Sequence, residues 1–237
     1  MVPSQLRIRE ILNYYIPGIL LLYIGDIVYY FFNNQFYLIQ EEVTIKNAVL
    51  AFAILYVIGY LLNISYGLLV AYNEGFIKGK AAAFLRFVFG RKHKNDRLKV
   101  YNENKNLLDR KIVLLLQISQ EELYSLKPGE LFYTVAEYVV NKSSEKSSDE
   151  LGRQIISSFF ALKLSFVCLL SILTFATLFG LKCFGLGFIE SKILITGFFI
   201  SLFVQRISWT LFKVTNEIWA GKVWRMLIAT PNLEDKK

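Results

Sequence analysis

Histidine, cysteine and proline are scarce in this 237-residue chain, which has one His, two Cys and four Pro. With His93 as the sole imidazole, no Cys/His cluster can hold a metal, and no metal site is expected. Cys168 and Cys183 are separated by roughly 22 Å of helical rise, too far to bridge within the chain. No disulfide framework is therefore implied. Signatures of catalysis are missing as well: there is no P-loop, no Gly-x-Ser-x-Gly, no His-Glu-x-x-His and no carboxylate pair on a site-forming scaffold. The expectation is a protein with no catalytic residues and no cofactor.

Charge is missing over long distances too. The chain is 54% hydrophobic, 16% aromatic and 19% charged, and its apolar residues gather in four stretches, Ile11–Phe32, Ala48–Tyr72, Phe159–Leu181 and Ile193–Phe212. Each is long enough, at 1.5 Å per residue, to cross a bilayer core of about 30 Å. The fold class expected is all-α: a polytopic membrane protein with four transmembrane helices and a helical cytosolic insert between helices 2 and 3. Its parts are a hairpin over 11–72, a basic helical segment over 73–158, a second hairpin over 159–212, and an interfacial amphipathic helix with a cytosolic tail over 213–237. The N-terminal stretch lacks the short core and small-residue cleavage site of a signal peptide and is expected to stay as an anchor. Pro17-Gly18 within it predicts a kink or break.

The net charge of +8 is local. The segment Lys78–Lys111 has eleven Lys/Arg against Asp96, Glu103 and Asp109, which accounts for the whole excess. The short linkers after the first and third spans are poor in Lys/Arg, whereas 73–158 and the tail are rich in them. Both termini and the long insert are thus expected to face the cytosol. Within the insert, a helix is expected over Asn106–Ile118, and Ser119 with Glu122 fits a capping box. Lys127-Pro-Gly-Glu opens a helix with Leu131, Val135, Tyr138 and Val139 on one face. Asn141–Glu150 reads as a low-complexity linker with a cap at Ser147. From Asp149 one helix can run through Lys163, expected to snorkel, into the third span. Trp209, Trp219 and Trp224 are expected at the membrane interface.

Four groups of residues are candidates for function. Gly59, Asn63, Gly67, Ala71 and Gly75 form a row of small or polar residues at every fourth position of one expected continuous helix, a surface that lets another helix approach closely. It either packs the helix on its own neighbours or forms an oligomeric seam. Asp26 and Arg206 are intramembrane charges, costly and functional by default; their backbones differ in depth by around 10 Å, so Arg206 either reaches toward Asp26 or snorkels. The turn Arg91, Lys92, His93, Lys94 and Arg97 is the candidate anion or partner site, suited to anionic lipid heads, a phosphate-bearing ligand or nucleic acid, or an acidic protein. Ser165, Ser171, Thr174 and Thr177 line a polar path or bond back to their own helix. Arg86 and His93 match the Arg-x(4–6)-His spacing of HEPN-type ribonucleases, an enzymatic alternative.

Tyr14-Tyr15-Ile16-Pro17-Gly18, the Gly59/Asn63/Gly67 row and the basic segment Lys78–Lys111 give the chain an architecture that resembles small four-span membrane proteins of bacterial anti-phage systems. These include the membrane subunit of Kiwa, accessory membrane proteins of RNA-targeting CRISPR loci, and cyclic-nucleotide-activated transmembrane effectors. The resemblance implies a homo-oligomer at the bacterial inner membrane that senses or executes an infection response. Its partners would be the bilayer, further copies of itself and a soluble cytosolic protein. A scaffold that tethers such a protein without conducting is the alternative from another class.

Overall fold

The structure, a computed structural model, describes residues 11–36, 45–64, 67–68, 78–80, 82–83, 86, 99–126, 128–142 and 145–229. It is all-α, with no strand among the described residues. Three described helical stretches, Asn13–Asn33, Asp149–Cys183 and Ser191–Ala229, are long and apolar enough to cross a membrane. The chain divides into two compact units, one made of Met1–Lys92 with Phe159–Phe212, the other of His93–Ser158 with Lys213–Lys237.

In the first unit a π-helical turn, Ile11–Tyr15, leads into α1 (Ile16–Asn33). Pro17 therefore falls at the start of an α-helix, where its fixed φ suits the first turn and its missing N–H is least harmful. The expected break at Pro17-Gly18 is thus a change of helix type just before it. Asn34 takes a left-handed conformation (φ 55°) and closes α1 with a bond from its N–H to the Tyr30 carbonyl. α2 (Ile45–Leu61) packs against this hairpin partner through two glycines. A Cβ on Gly18 would strike the backbone of Leu55, and one on Gly59 would strike the backbone of Tyr14. Residues 18 and 14 thus oppose 55 and 59, so the two helices run antiparallel at backbone contact.

The helix expected without interruption over 48–72 is not continuous. It ends at Leu61, and Leu62–Asn63 form a turn in which the Asn63 N–H bonds the Tyr60 carbonyl, three residues back, at 2.9 Å. That tightening leaves the Gly59 carbonyl without its usual donor from position 63.

Two long helices, α7 (Glu145–Cys183) and α8 (Ser191–Ala229), form the other hairpin. Between them Gly185 and Gly187 take φ of +80° and +81°, a region open to glycine without penalty. Lys182 donates to the Gly187 carbonyl at 2.8 Å, and the Phe188 N–H donates to the Phe31 carbonyl at 2.9 Å. Phe31, Phe175, Leu178, Ile189 and Leu194 fill the space at this end. Further along, Ala161, Leu162, Leu169, Trp209 and Phe212 make a second cluster, and the Gln205 amide donates to the Ser165 hydroxyl at 3.3 Å. Ser171 and Thr177 bond back to Val167 and Leu173 of their own helix.

The second unit is built from α3 (Lys99–Glu103), α4 (Lys105–Leu116), α5 (Gln120–Ser125) and α6 (Pro128–Lys142), with the first residues of α7 and the last of α8. Ser119 caps α5 in a complete capping box with Glu122. Leu131, Val135 and Val139 of α6 are buried together with Leu108, Ile112, Trp219, Val223, Trp224 and Leu227. Two expectations change here. The stretch 213–229 is no separate surface helix: it continues α8, and Trp219 and Trp224 are buried against Phe132 at 5.0 and 5.7 Å between ring centroids. The linker expected over 141–150 is largely helical, because α6 runs to Lys142 and α7 starts at Glu145; Ser147 lies inside α7.

Asp109 is buried between α3 and α5, accepting from the Tyr101 hydroxyl at 2.5 Å and the Tyr124 hydroxyl at 3.3 Å. Burial first, and then the bond to Asp109, push the Tyr101 phenol well above its ordinary value. The folded state therefore keeps a proton that the unfolded chain loses above pH ~10, so this contribution to stability is complete below that pH and fades as the pH rises further. In chemical denaturation, the wild type should lose stability between pH 9 and 11 more steeply than Tyr101→Phe. At neutral pH Tyr101→Phe should be less stable by about 1–3 kcal/mol, since the Asp109 carboxylate loses its closest donor. For the hairpin, Gly59→Leu should lower the thermal midpoint in detergent, by overpacking of about 1–3 kcal/mol or more. Gly67→Leu, at an exposed position with no described residue within 4 Å of its Cβ, should leave it unchanged.

Candidate functional site: a buried lysine among carbonyls

The feature that stands out in the first unit is Lys163. It sits in the apolar stretch of α7 and is only 3% exposed. Its ammonium donates to the Asn13 carbonyl at 2.7 Å, approaches the Gly59 carbonyl at 3.5 Å, and lies 4.1 Å from the centroid of the Tyr14 ring. The expected snorkelling does not occur: the side chain is buried and its ammonium is held by these carbonyls.

Each carbonyl lacks the α-helical donor four residues on, for a reason that lies in the sequence. Asn13 is four residues before Pro17, which has no N–H to donate back in an α-helical pattern. Gly59 is four residues before Asn63, whose N–H turns instead to Tyr60. Gly59 is also in the last turn of α2, where helix carbonyls carry partial negative charge and attract a cation. The absence of a Cβ at Gly59 brings the backbone of Tyr14 against it, so that both orphaned oxygens reach one ammonium. Tyr56 stacks near Tyr14 with centroids 5.0 Å apart, and Tyr60 follows at 6.2 Å, so the face of the Tyr14 ring stays against the charge. Asn13 itself is buried, and its side-chain oxygen has no hydrogen-bond partner among the described residues.

Such a site can hold a positive charge inside an apolar bundle and tie three helical segments together. It offers no nucleophile, no acid–base pair and no metal donor set; among the described residues no group of three His, Cys, Asp or Glu comes together.

The other candidates are placed as follows. Gly59 belongs to this intrachain contact. Asn63 and Gly67 are exposed, and Ala71 and Gly75 lie outside the described residues. Arg91, Lys92, His93, Lys94 and Arg97 also lie outside them, as does one half of the Arg86/His93 pair; Arg86 is exposed. Asp26 is buried on α1, and Arg206 is exposed on α8. Lys163 escaped the sequence reading as a site, although it is the lone cation in the stretch Phe159–Leu181, and that isolation was the available signal.

Among the described residues, fold and site together define an all-α protein with three helices long and apolar enough to cross a membrane and a buried, backbone-held charge. Comparisons with protein families, with characterised proteins and with solved structures return no match to this chain.

Removing the ammonium should leave two buried carbonyls unsatisfied. Lys163→Met is expected to lower stability in lipid nanodiscs by about 1–3 kcal/mol per orphaned group. Tyr14→Phe, which keeps the ring face, should be close to wild type.

Proposed function

We propose that this chain is a non-enzymatic, oligomeric protein of the bacterial inner membrane, a sensor and effector whose cytosolic cap receives a signal and whose spans respond by permeabilising the membrane. The observation that carries the reading is Lys163. A charge inside a membrane bundle is expensive and marks function by default. This one faces carbonyl dipoles and a ring, which hold an ammonium without neutralising it. Two discrete states follow naturally, one with the ammonium seated and one with it withdrawn, and a packed bundle switches between such states rather than deforming smoothly. α7 and α8 contribute residues to both compact units, which supports a route from cap to spans. The Lys/Arg excess of 73–158 supports a cytosolic cap and cytosolic termini.

The test is membrane potential in growing bacteria. Lys163→Met, inserted at wild-type levels, should depolarise cells without a trigger, whereas wild type and Lys163→Arg should stay polarised until one is supplied. A correctly inserted Lys163→Met that leaves the potential unchanged would remove the permeabilising role.

A second reading is favoured by an open groove in the second unit. Glu150, Gln154, Gly221, Lys222 and Arg225 line about 670 Å³, and Gln154 presents a buried side-chain oxygen with no partner among the described residues. Lys222 pairs with Glu150 at its edge. In that reading the chain is a membrane scaffold that tethers a soluble protein through this groove. Lys222→Glu with Arg225→Glu should then abolish co-purification of the tethered protein and leave membrane potential untouched. The Arg86/His93 ribonuclease alternative predicts loss of activity in His93→Ala; wild-type behaviour of that variant ends it.

A further inference from the structure

The seat that holds Lys163 is built of oxygens, and oxygens take a free cation as readily as a tethered one. The Asn13 carbonyl accepts the ammonium at 2.7 Å, and the Gly59 carbonyl lies 3.5 Å from it. Asn13 is itself only 5% exposed, and its side-chain oxygen has no hydrogen-bond partner among the described residues. Rotation about χ1 or χ2 lets both oxygens of one asparagine face a single cation. The Tyr14 ring, 4.1 Å from the ammonium, adds a π face that attracts any cation placed there.

The chemistry of this set selects the kind of cation. All three oxygens are neutral, so a divalent ion, which dehydrates reluctantly, finds no carboxylate among them. The 2.7 Å spacing also exceeds the about 2.0–2.1 Å of magnesium and the about 2.3–2.6 Å of calcium to oxygen. Potassium resembles an ammonium in size and charge, and carbonyl oxygens are the groups that replace its hydration shell. Lys163 stands four residues inside the apolar stretch Phe159–Leu181, about 6 Å by helical rise. Its own side chain is long enough to carry the charge from the seat to the membrane surface.

We propose that this seat is a monovalent-cation site, taken by potassium when the Lys163 side chain withdraws. The inference rests on the two-state part of the function proposed above and supplies the occupant of the second state. Exchange of a tethered cation for a free one keeps the buried oxygens bonded in both. In the resting wild type the tether gives the ammonium a high effective concentration, and potassium competes poorly.

Thermal unfolding of the full chain in lipid nanodiscs tests it, with potassium chloride replacing choline chloride at constant ionic strength. The midpoint of Lys163→Met should rise by about 5–10 °C once potassium is ~100-fold above its dissociation constant. The wild type should stay flat, and so should Lys163→Met combined with Asn13→Leu. Radioactive rubidium, a potassium substitute, should bind Lys163→Met at one ion per chain and the wild type hardly at all. An equal rise in wild type and Lys163→Met would mean a general salt effect and overturn the proposal. No rise and no bound rubidium in Lys163→Met would do the same, leaving water as the occupant. A Lys163→Met chain that fails to fold in potassium and in choline alike would also overturn it, because potassium would then not replace the ammonium. Membrane potential separates the two readings. Potassium binding by a Lys163→Met that does not depolarise cells keeps the site and ends the permeabilising role. Depolarisation without a potassium response keeps that role and ends the site.

Discussion

The first unit depends on the contact between one ammonium and two backbone oxygens. Lys163 brings α7 to the start of the first helical segment and to the end of α2, and it does so through the backbone rather than through side chains. A carboxylate partner would have made a stronger electrostatic pair, but at the desolvation cost of two ions rather than one. Carbonyl oxygens carry only partial charge and are already inside the bundle, so binding them adds no second ion to bury. The arrangement needs three separate features to coincide: a proline four residues after Asn13, a turn four residues after Gly59, and a glycine where the two chains touch. Each is unremarkable alone, and together they place two unpaired acceptors within reach of one donor.

The same use of lysine recurs elsewhere. Lys111, buried in the second unit, donates to the Ile228 carbonyl at 2.5 Å and lies 3.5 Å from that of Leu227, at the end of α8. Lys182 closes the turn between α7 and α8 on Gly187. A helix end exposes up to four unpaired carbonyls and the negative pole of its dipole, and an ammonium with three donors suits both. Part of the chain's positive charge therefore works inside the fold as backbone capping. Counting Lys and Arg as surface charge overstates how much of the excess is presented to partners.

What could be read from sequence followed local rules. The capping box at Ser119, the helix opening at Pro128, the long helix that becomes α7, and the back-bonding of Ser171 and Thr177 all depend on residues a few positions apart. The three tryptophans show where local rules stop. Trp219, Val223 and Leu227, at i, i+4 and i+8, mark an amphipathic face, but the spacing is the same whether that face meets lipid or other helices. Trp219 and Trp224 meet Phe132, on α6, more than eighty residues away in the chain. Lys163 meets the same limit: its isolation in an apolar stretch marks it, but its acceptors are main-chain atoms, which every residue possesses, and only the three-dimensional approach of Tyr14 to Gly59 singles out two of them. The break at Leu62–Asn63 has no proline and no glycine to announce it.

The distance along the chain between the lysine and its acceptors has a consequence for biogenesis. The Asn13 oxygen waits for a donor 150 residues downstream, and the Gly59 oxygen for one 104 residues downstream. As the ribosome delivers the chain, the first hairpin is made with these acceptors unmet, and α7 follows carrying a charge whose receptor has to be in place beforehand. Burial of the Lys163 ammonium is thus coupled to the earlier assembly of its neighbours. A lesion near Pro17 or Gly59 would be felt in the seating of α7, a helix that itself carries no mutation.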